Sequence, residues 1–548
     1  MISNENEFKR RTSLSSSLRR LQKRHGTPST GGLGLIEHDY SQQETDVECQ
    51  PSPDGNARDN ANHYLESDQA KTEDKSFVIE RTFGSMHCTS ILLGVLVSFG
   101  SLFSVREIFI NCGGLIPALF VWISAGAMMF VGAQCYAELA TCIPKSGGDF
   151  VYLYHALPTP MPAFMQVWMG LVMGSGATIS ALGKMGGVQF LKLVCRRCDD
   201  IDRSSPLVII VAALIICLLI MMHCRSSLLS AWFQVSLTCI KLGSFAFIIA
   251  LGFVHIVTGR TSNLKENMWY SLPTNQASPM VAFAVTSMSF TGWQSLTFVT
   301  EEVKKPEKNI PYVTSFSVLI AIGLCMALNI SYATLLTPQE LLSSQPIIML
   351  IGDKVLGSWS KLVHLPILIC TLSDINIIIL IVSRMFFSAG RERQSPSLWA
   401  MLNVRYNTPS PAILVMLPIA LILLVLDISP VLSTLGPFQW LTSAMVVATL
   451  LIYRIRYPNR DRPFKVPWAF PFIYILYCIF LTSLAIYNNP RVLGLVLAII
   501  APAFPLQIIL IRLRRPRTFL RAVGNVTRFL QKLLLVAKPD DSGQDINL

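Results

Sequence analysis

Charged residues are scarce in this chain. They make up 14% of its 548 residues, whereas 52% are apolar, and the mean hydropathy is +0.49. Ordinary soluble domains carry about 25% charged residues. The shortage of charge excludes an ordinary soluble domain, and it indicates an integral membrane protein more firmly than the apolar fraction does.

Residues that serve catalysis, metal binding and nucleotide binding are also few or poorly spaced. The thirteen cysteines show no zinc-type spacing, and most lie in apolar runs, where a cysteine behaves as a small buried hydrophobe. The eight histidines form no catalytic cluster, which argues against a membrane acyl or glycosyl transferase. Lys145–Asp149 lacks the spacing of a phosphate-binding loop. We therefore expect no enzyme activity, no metal and no cofactor.

Apolar stretches long enough to cross a bilayer recur along the chain. A helix needs roughly 20 residues to span the hydrocarbon core. We predict an all-α protein of twelve membrane spans, near 87–111, 115–141, 162–190, 206–224, 229–258, 279–300, 312–336, 362–388, 411–428, 431–453, 467–487 and 491–511. We number these stretches spans one to twelve.

The basic residues predict the orientation of the spans. The formal net charge is +12, and the Lys and Arg residues sit beside apolar spans, which is typical of cytoplasmic membrane flanks rather than of nucleic-acid binding. Clusters follow spans six, eight, ten and twelve, which places both termini in the cytoplasm. We expect a multi-pass protein of the plasma membrane, with membrane lipid as a partner and no nucleic acid.

The ends of the chain differ in composition from its middle. Residues 1–80 are rich in Ser, Asn, Gln, Asp and Arg, and such a segment buries too little apolar surface to fold. We predict a disordered cytoplasmic tail at 1–80, a twelve-helix domain at 81–512 and a cytoplasmic C-terminal tail at 513–548. The polar N-terminus lacks a cleavable signal peptide, so the first span is expected to act as an uncleaved insertion signal.

Span six carries Thr-Gly-Trp-Gln near its middle. Gly292 loosens the helix because it has no side chain to restrain the backbone. Unpaired backbone groups at membrane depth are tolerated only where they face protein or a water-filled cavity. A broken helix is therefore a place to hold a polar solute, as in transporters. The alternative is a glycine kept for close helix packing.

Several motifs occur in the order found in one family. They are Cys135–Tyr154 (CYAELATCIPKSGGDFVYLY), Thr291–Pro311 (TGWQSLTFVTEEVKKPEKNIP), Asn329–Gln345 (NISYATLLTPQELLSSQ), Gln234 with Lys241, Leu251–Ile256, Ser383–Phe387 with Gly390–Glu392, and Arg462–Pro467. The chain from about residue 81 to 539 thereby resembles the light subunits of heteromeric amino acid transporters, the L-type and y+L-type members of the amino acid–polyamine–organocation superfamily.

The resemblance implies a LeuT-like fold, in which two five-helix inverted repeats surround a site at the membrane midplane and two helices are appended. Spans one and six are unwound in that fold. Backbone amides of span one hold the substrate carboxylate, and backbone carbonyls of spans one and six hold the amino group, in keeping with the dipoles of broken helices. The substrate-binding residues implied for this chain are Val97, Phe99, Gly100, Ser101, Met288, Thr291, Gly292, Trp293 and Gln294.

The resemblance also implies a partner chain. The family carries a cysteine after span three that bonds a single-pass glycoprotein heavy subunit, and Cys198 matches that placement. An extracellular loop permits such a disulfide. Cys195 is a nearby rival, and a Cys195–Cys198 bridge or two free thiols are the alternatives.

Both broken spans depart from the family pattern. The family's Gly-Ser-Gly-Ile-Phe break in span one reads here with Phe99 and Ser101 at two of the small positions, although Gly100 can still supply the kink. In span six Thr291 replaces a glycine, and Met288 occupies the position of a gating aromatic ring. A flexible thioether covers a ligand less rigidly than a ring does.

Two charges are predicted inside the spans, where charge is costly and usually paired or functional. Lys241 matches the family's fifth-span lysine, which resembles a tethered cation where sodium-coupled relatives bind sodium. Asp374 replaces the usual serine of span eight, and Asn376 matches the family. We expect Lys241 and Asp374 to form an ion pair with Asn376 nearby. The alternative is that these residues only hold helices together.

Further charges lie at the ends of the broken spans. Arg106 and Glu107 form either a local ion pair or, in the sharper hypothesis, a sensor for an anionic substrate side chain. Glu301 and Glu302 end span six among lysines, and we interpret them as an inner gate or as helix-end ion pairs.

The favoured function is a secondary carrier that exchanges neutral or cationic L-amino acids by alternating access, as the light subunit of a disulfide-linked heterodimer. One alternative is a carrier of cationic amino acids or polyamines that needs no heavy subunit. Another is a transport-impaired, receptor-like homologue, which the altered span-one motif would favour.

Overall fold

Nearly all of the structure described here is helical. In the computed structural model the described residues are 80–98, 104–195, 202–269, 278–343, 347–426, 432, 434–513 and 517–538. The predicted N-terminal tail, apart from Glu80, lies outside these ranges, and the proposed domain boundaries stay predictions. The helices are α1 (Ser85–Leu96), α2 (Val105–Cys112), α3 (Leu115–Cys142), α4 (Asp149–Ala156), α5 (Met161–Val194), α6 (Pro206–Arg225), α7 (Ser227–Val257), α8 (Ser262–Met268), α9 (Pro279–Ser289), α10 (Pro306–Leu335), α11 (Pro338–Leu342), α12 (Ile347–Leu356), α13 (His364–Arg391), α14 (Ser410–Val425), α15 (Leu435–Arg456), α16 (Ala469–Asn488), α17 (Arg491–Ile500), α18 (Ala503–Leu513) and α19 (Arg517–Leu534).

Nine helices within the described ranges are long and apolar enough to cross a membrane. They correspond to α3, α5, α6, α7, α10, α13, α15, α16 and the α17–α18 segment. Three shorter apolar helices, α1, α9 and α14, lie where spans one, six and nine are predicted. The prediction of an all-α, multi-span membrane fold is confirmed, whereas the count of twelve spans and the inverted repeat stay predictions.

The exposed side chains on the outside of the bundle and the hydroxyl groups inside it suit a protein in a bilayer. Leu214, Leu218 and Phe253 are exposed at 58%, 70% and 64% of their surface, as expected for side chains that face lipid. Hydroxyl groups inside the bundle donate to a carbonyl one turn back, such as Thr286 to Ala282 O at 2.8 Å and Ser180 to Gly176 O at 2.7 Å. These hydroxyl groups are thereby satisfied within their own helices without water.

Short elements lie between and after the long helices. Thr337 and Glu340 form a capping box at the start of α11. The strand Leu402–Asn403 pairs antiparallel with Val536–Ala537. This pairing connects the segment after α19 to the chain between α13 and α14, so the predicted C-terminal tail carries a helix and a strand.

Candidate functional site

The described residues enclose a cavity of about 390 Å³ between the bundle helices. Ligand sites for small molecules commonly measure about 300–1,000 Å³. The lining comes from α1, α4, α5, α9, the turn after α9, the 3₁₀ segment Ser295–Glu302, α13 and α15. It comprises Val95, Ser98, Asp149, Gln166, Met169, Gly170, Met173, Gly174, Thr178, Leu182, Met288, Ser289, Thr291, Gly292, Gln294, Ser295, Phe298, Asp374, Ile377, Ile378, Ile381, Val382, Met385, Phe438 and Gln439.

Span six is interrupted at the cavity. Helix α9 ends at Ser289, residues Thr291 to Gln294 form a turn, and a 3₁₀ segment runs over Ser295–Glu302. Gly292 has a φ of +94°, a conformation that L side chains rarely adopt. A Cβ at Gly292 would also lie 1.8 Å from Cγ1 of Val95. The glycine therefore supplies both the break and the close approach of span six to span one.

Backbone groups at this turn are partly satisfied within it. The carbonyl of Gly292 accepts from the Ser295 amide at 3.0 Å and from its hydroxyl at 2.5 Å. The Thr291 amide donates to Met288 O at 3.3 Å. A substrate amino group that met the Gly292 carbonyl would therefore share or displace the Ser295 hydroxyl.

The predicted site residues of span six divide between two neighbouring pockets. Met288, Thr291, Gly292 and Gln294 line the cavity. Trp293 instead lines a small neighbouring pocket that shares Thr291 and Gln294 with it, and its ring packs edge-on against Tyr136 at 4.9 Å between centroids.

Span one is described as far as Ser98 and again from Ser104. Val97 is fully buried, and it ends α1 with its amide donating to Leu93 O at 3.0 Å. It is not among the residues that line the cavity, whereas its neighbour Ser98 is. The predicted residues Phe99, Gly100 and Ser101 lie outside the described residues, so the expected carboxylate-binding amides stay a prediction.

A charged cluster joins α1, α7 and α13. The Lys241 ammonium donates to Gly94 O at 2.8 Å and to Ser373 Oγ at 3.2 Å, and it lies 3.9 Å from Asp374 Oδ1. The Ser98 hydroxyl donates to Asp374 Oδ2. The lysine thus holds the last turn of α1, while the aspartate faces the cavity.

Asn376 belongs to a polar network that reaches Lys241 through Gln234 and Ser373. Its side chain lies 2.9 Å from His223 Nε2, donates to Gln234 Oε1 at 3.0 Å and donates to Ser230 O at 3.3 Å. These contacts hold α6, α7 and α13 together two residues beyond Asp374, so they support a helix-packing role for Asn376.

Two glycines allow α5 to approach α13 at the cavity. Residues Gly170–Thr178 form π-helical turns, which occur frequently at functional sites. A Cβ at Gly170 would lie 2.0 Å from Met385, and one at Gly174 would lie 2.8 Å from Val382. Both neighbours are on α13, so the glycines set the width of the cavity on that side.

Two ion pairs join the C-terminal end of span six to α13. Arg384 donates to both carboxylate oxygens of Glu302, at 2.7 and 3.2 Å, and Arg391 donates to Glu301 at 2.9 and 3.0 Å. The partners are thus arginines of α13 rather than the nearby lysines. In addition, the Phe83 amide donates to Glu302 O at 2.8 Å, so the residues before span one are bound to the end of span six.

A second group of charges surrounds α4 at the same end. The Lys145 ammonium and the His155 ring each lie 3.6 Å from Glu392 Oε1. Burial and the nearby Lys145 ammonium lower the pKa of His155. This histidine is therefore expected to be neutral at physiological pH.

Several lining residues were missed from the sequence, and Asp149 is the most informative. Gly147 and Gly148 have φ of +117° and +53°, and the Gly147 amide donates to Phe298 O at 3.1 Å. This tight turn directs the chain back to the 3₁₀ segment, so Asp149 reaches the cavity. The glycine pair signals a turn, but the sequence does not reveal what the turn contacts.

Arg106 is engaged away from the cavity. Its Nε donates to Ser343 O at 2.7 Å, and its Nη1 donates to Glu107 at 2.9 Å. The residue is not among those that line the cavity. These contacts agree with the local ion pair rather than with a sensor for an anionic side chain.

The cysteines after α5 bear on the predicted partner. Cys198 lies outside the described residues. Cys195 is disulfide-bonded, whereas ten other cysteines, all within the described ranges, have free thiols. The prediction that Cys198 bonds a heavy subunit therefore stays untested, and the rival role of Cys195 becomes important.

Comparison with known proteins identifies the class to which this fold and cavity belong. The amino acid permease family model matches residues 83–511. The chain therefore belongs to the amino acid permease family.

Individual relatives narrow the resemblance. The human (Homo sapiens) cystine/glutamate transporter is 30% identical over 466 residues, covering 84% of this chain and 92% of the relative. The Asc-type amino acid transporter 1 of Mus musculus is 29% identical, with 85% and 88% covered. The large neutral amino acids transporter small subunit 2 of Rattus norvegicus is also 29% identical, with 85% and 88% covered. The resemblance to light subunits of heteromeric amino acid transporters is confirmed.

Proposed function

We propose that this chain is a secondary carrier that exchanges neutral or cationic L-amino acids across the plasma membrane by alternating access. The observation that carries the proposal is the cavity of about 390 Å³ at the Gly292 break. A broken helix offers backbone groups and helix dipoles to the two ends of a zwitterion. The names of the relatives support amino acids as the substrate class.

The proposed mechanism uses no cofactor and no covalent chemistry. Thr291, Gln294 and Met288 contact the substrate side chain, and the backbone of spans one and six binds its amino and carboxylate groups. The ion pairs of Glu301 and Glu302 with α13 close the inner end when they form, and they separate to release substrate to the cytoplasm. Substrate binding shifts the population between the state that is open to the cytoplasm and the state that is open to the opposite side.

We propose that the carrier works as a light subunit linked to a single-pass glycoprotein through Cys198. A competing proposal is a carrier of cationic amino acids or polyamines that acts alone. The disulfide at Cys195 favours the competing proposal, because a bridge between Cys195 and Cys198 would leave no thiol there for a partner.

Uptake of a labelled amino acid mixture, with and without a co-expressed heavy subunit, tests the function. Uptake above that of mock-transfected cells supports the carrier. Normal surface protein without uptake under any partner supports a transport-impaired receptor instead.

Non-reducing gels of wild type, Cys198→Ser and Cys195→Ser test the linkage. A high-mass band that Cys198→Ser removes and Cys195→Ser keeps supports the heterodimer. A band at the mass of the single chain in all three samples supports the carrier that acts alone.

A further inference from the structure

The cavity has a one-sided charge. Among the residues that line it within the described ranges, Asp149 and Asp374 are the charged ones, and no Lys, Arg or His is present. The other polar lining groups are neutral hydroxyl and amide side chains. A solute in this cavity therefore meets two carboxylates and no basic side chain.

Asp374 has unused capacity to bind a cation. Its Oδ2 accepts from the Ser98 hydroxyl, and its Oδ1 has no hydrogen-bond partner within the described structure. The side chain is 15% exposed, whereas that of Lys241 is 1% exposed. A carboxylate can accept several hydrogen bonds at once, so the open side of Asp374 is available to a donor in the cavity.

Lys241 does not neutralise the charge of Asp374 that faces a solute in the cavity. Its ammonium is committed to Gly94 O and Ser373 Oγ, and it approaches Asp374 only to 3.9 Å. Asp149 adds a second carboxylate, of which Oδ1 also has no hydrogen-bond partner in the described part of the chain. With Lys241 included, two carboxylates and one ammonium leave the cavity acidic.

We infer that Asp374 is a specificity-determining residue that binds a primary ammonium on the substrate in addition to its α-amino group. This inference rests on the proposed transport function and names its substrate class. Lysine-like amino acids carry that ammonium, and diamines offer the same chemistry. Charge-assisted hydrogen bonds are roughly twice as strong as neutral ones, whereas a glutamate side chain would face like charges, which disfavour it.

Competition on the wild-type protein provides the first test. Uptake of a labelled amino acid is measured with unlabelled lysine, ornithine, putrescine, citrulline, leucine or glutamate as competitors. We expect lysine and ornithine to compete at least about tenfold better than the uncharged citrulline, a difference of about 1.4 kcal/mol. Equal competition by putrescine identifies diamines as the source of the ammonium. Competition by citrulline or glutamate as good as that by lysine overturns the inference.

Variants then assign the selectivity to Asp374. Asp374→Asn is expected to weaken lysine uptake about tenfold relative to leucine uptake, and Asp374→Glu to restore part of the preference. Asp353→Asn is the matched control, because Asp353 is exposed and outside the cavity lining. An equal loss of lysine and leucine uptake by Asp374→Asn at normal surface abundance shows that Asp374 does not read the side chain, and it overturns the inference.

A binding measurement separates this inference from the transport proposal. Thermal stabilisation of the purified protein by lysine, putrescine or glutamate needs no transport, because a ligand that binds the folded state raises its melting temperature. Stabilisation by lysine without uptake in cells supports the acidic site and contradicts the carrier. Uptake of neutral amino acids with no stabilisation by lysine supports the carrier and overturns the acidic site. This assay also decides the matter if Asp374→Asn does not fold.

Discussion

The ion pair between Glu138 and Arg454 allows a sharp test of how α3 and α15 are held together. Arg454 Nε donates to Glu138 Oε1 at 2.9 Å, its Nη2 donates to Oε2, and the two side chains are 1% and 0% exposed. The Val466 amide also donates to Glu138, at 2.8 Å. One carboxylate therefore connects α3, α15 and the segment that precedes α16.

The structure sets the size of the expected effect. Removing one partner of a buried ion pair costs about 3–5 kcal/mol, because the other charge is left uncompensated. In Arg454→Met the Glu138 carboxylate keeps the Val466 amide, and Arg462 Nε lies 3.9 Å away. We therefore expect a loss near the lower end, about 3 kcal/mol. The double variant Glu138→Gln with Arg454→Met leaves no buried charge and should recover most of that loss.

The assay is the apparent melting temperature of detergent-solubilised protein, followed by size-exclusion chromatography after heating. Wild type, each single variant and the double variant are compared at one detergent and salt concentration. The expected order is wild type, then the double variant, then Arg454→Met. A single variant as stable as wild type, or a double variant no more stable than the single one, would refute the reasoning.

Three further predictions concern the break in span six, the inner ion pairs and the response to pH. Gly292→Ala should abolish most transport, because the φ of +94° and the contact with Val95 both oppose a Cβ at this position, and the backbone strain is about 1–3 kcal/mol. Adding Val95→Ala should restore part of the uptake. Wild-type uptake by the single variant would contradict this account. Glu302→Gln should lower thermal stability more than Glu301→Gln does, because Arg384, the partner of Glu302, is 2% exposed, whereas Arg391, the partner of Glu301, is 20% exposed. Equal melting temperatures of the two variants would argue against this prediction. Burial lowers the pKa of His155 below its ordinary value of 6.5. The unfolded chain therefore binds a proton at a higher pH than the folded protein does. The contribution of His155 to stability is complete above about pH 6.5 and is lost as the pH falls toward the lowered pKa of the folded state. Between about pH 7.5 and 5.5 the melting temperature of His155→Gln should therefore fall less than that of wild type, and parallel losses would count against the assignment.

The long apolar helices were predictable because a helix that crosses the lipid bilayer needs a long apolar stretch of sequence. Helix α3 was predicted at 115–141 and is found at Leu115–Cys142, and α7 was predicted at 229–258 and is found at Ser227–Val257. Such helices satisfy their own backbone, so a local stretch of sequence suffices. The break in span six was also predictable, because a glycine within an apolar span is itself a local sign that the helix can be interrupted.

Contacts between distant segments were not predictable in the same way. The sequence placed Glu301 and Glu302 among lysines, but their partners are arginines more than eighty residues away. The sequence gives no sign that Asp149 lines the cavity, because its place there depends on the hydrogen bond from the Gly147 amide to Phe298 O. Pairing of this kind is set by the packing of whole helices, which one sequence without tertiary information does not specify.

The backbone contact between Phe83 and the end of span six has a consequence for motion. The Phe83 amide donates to Glu302 O and its carbonyl accepts from the Lys304 amide, at 2.8 and 2.9 Å, and this main-chain clasp does not depend on side-chain identity. These two hydrogen bonds join the chain two residues before α1 to the end of the 3₁₀ segment Ser295–Glu302 and to the residues that follow it. A movement of residues 302–304 away from Phe83 would have to break both hydrogen bonds, so we expect these two segments to move together.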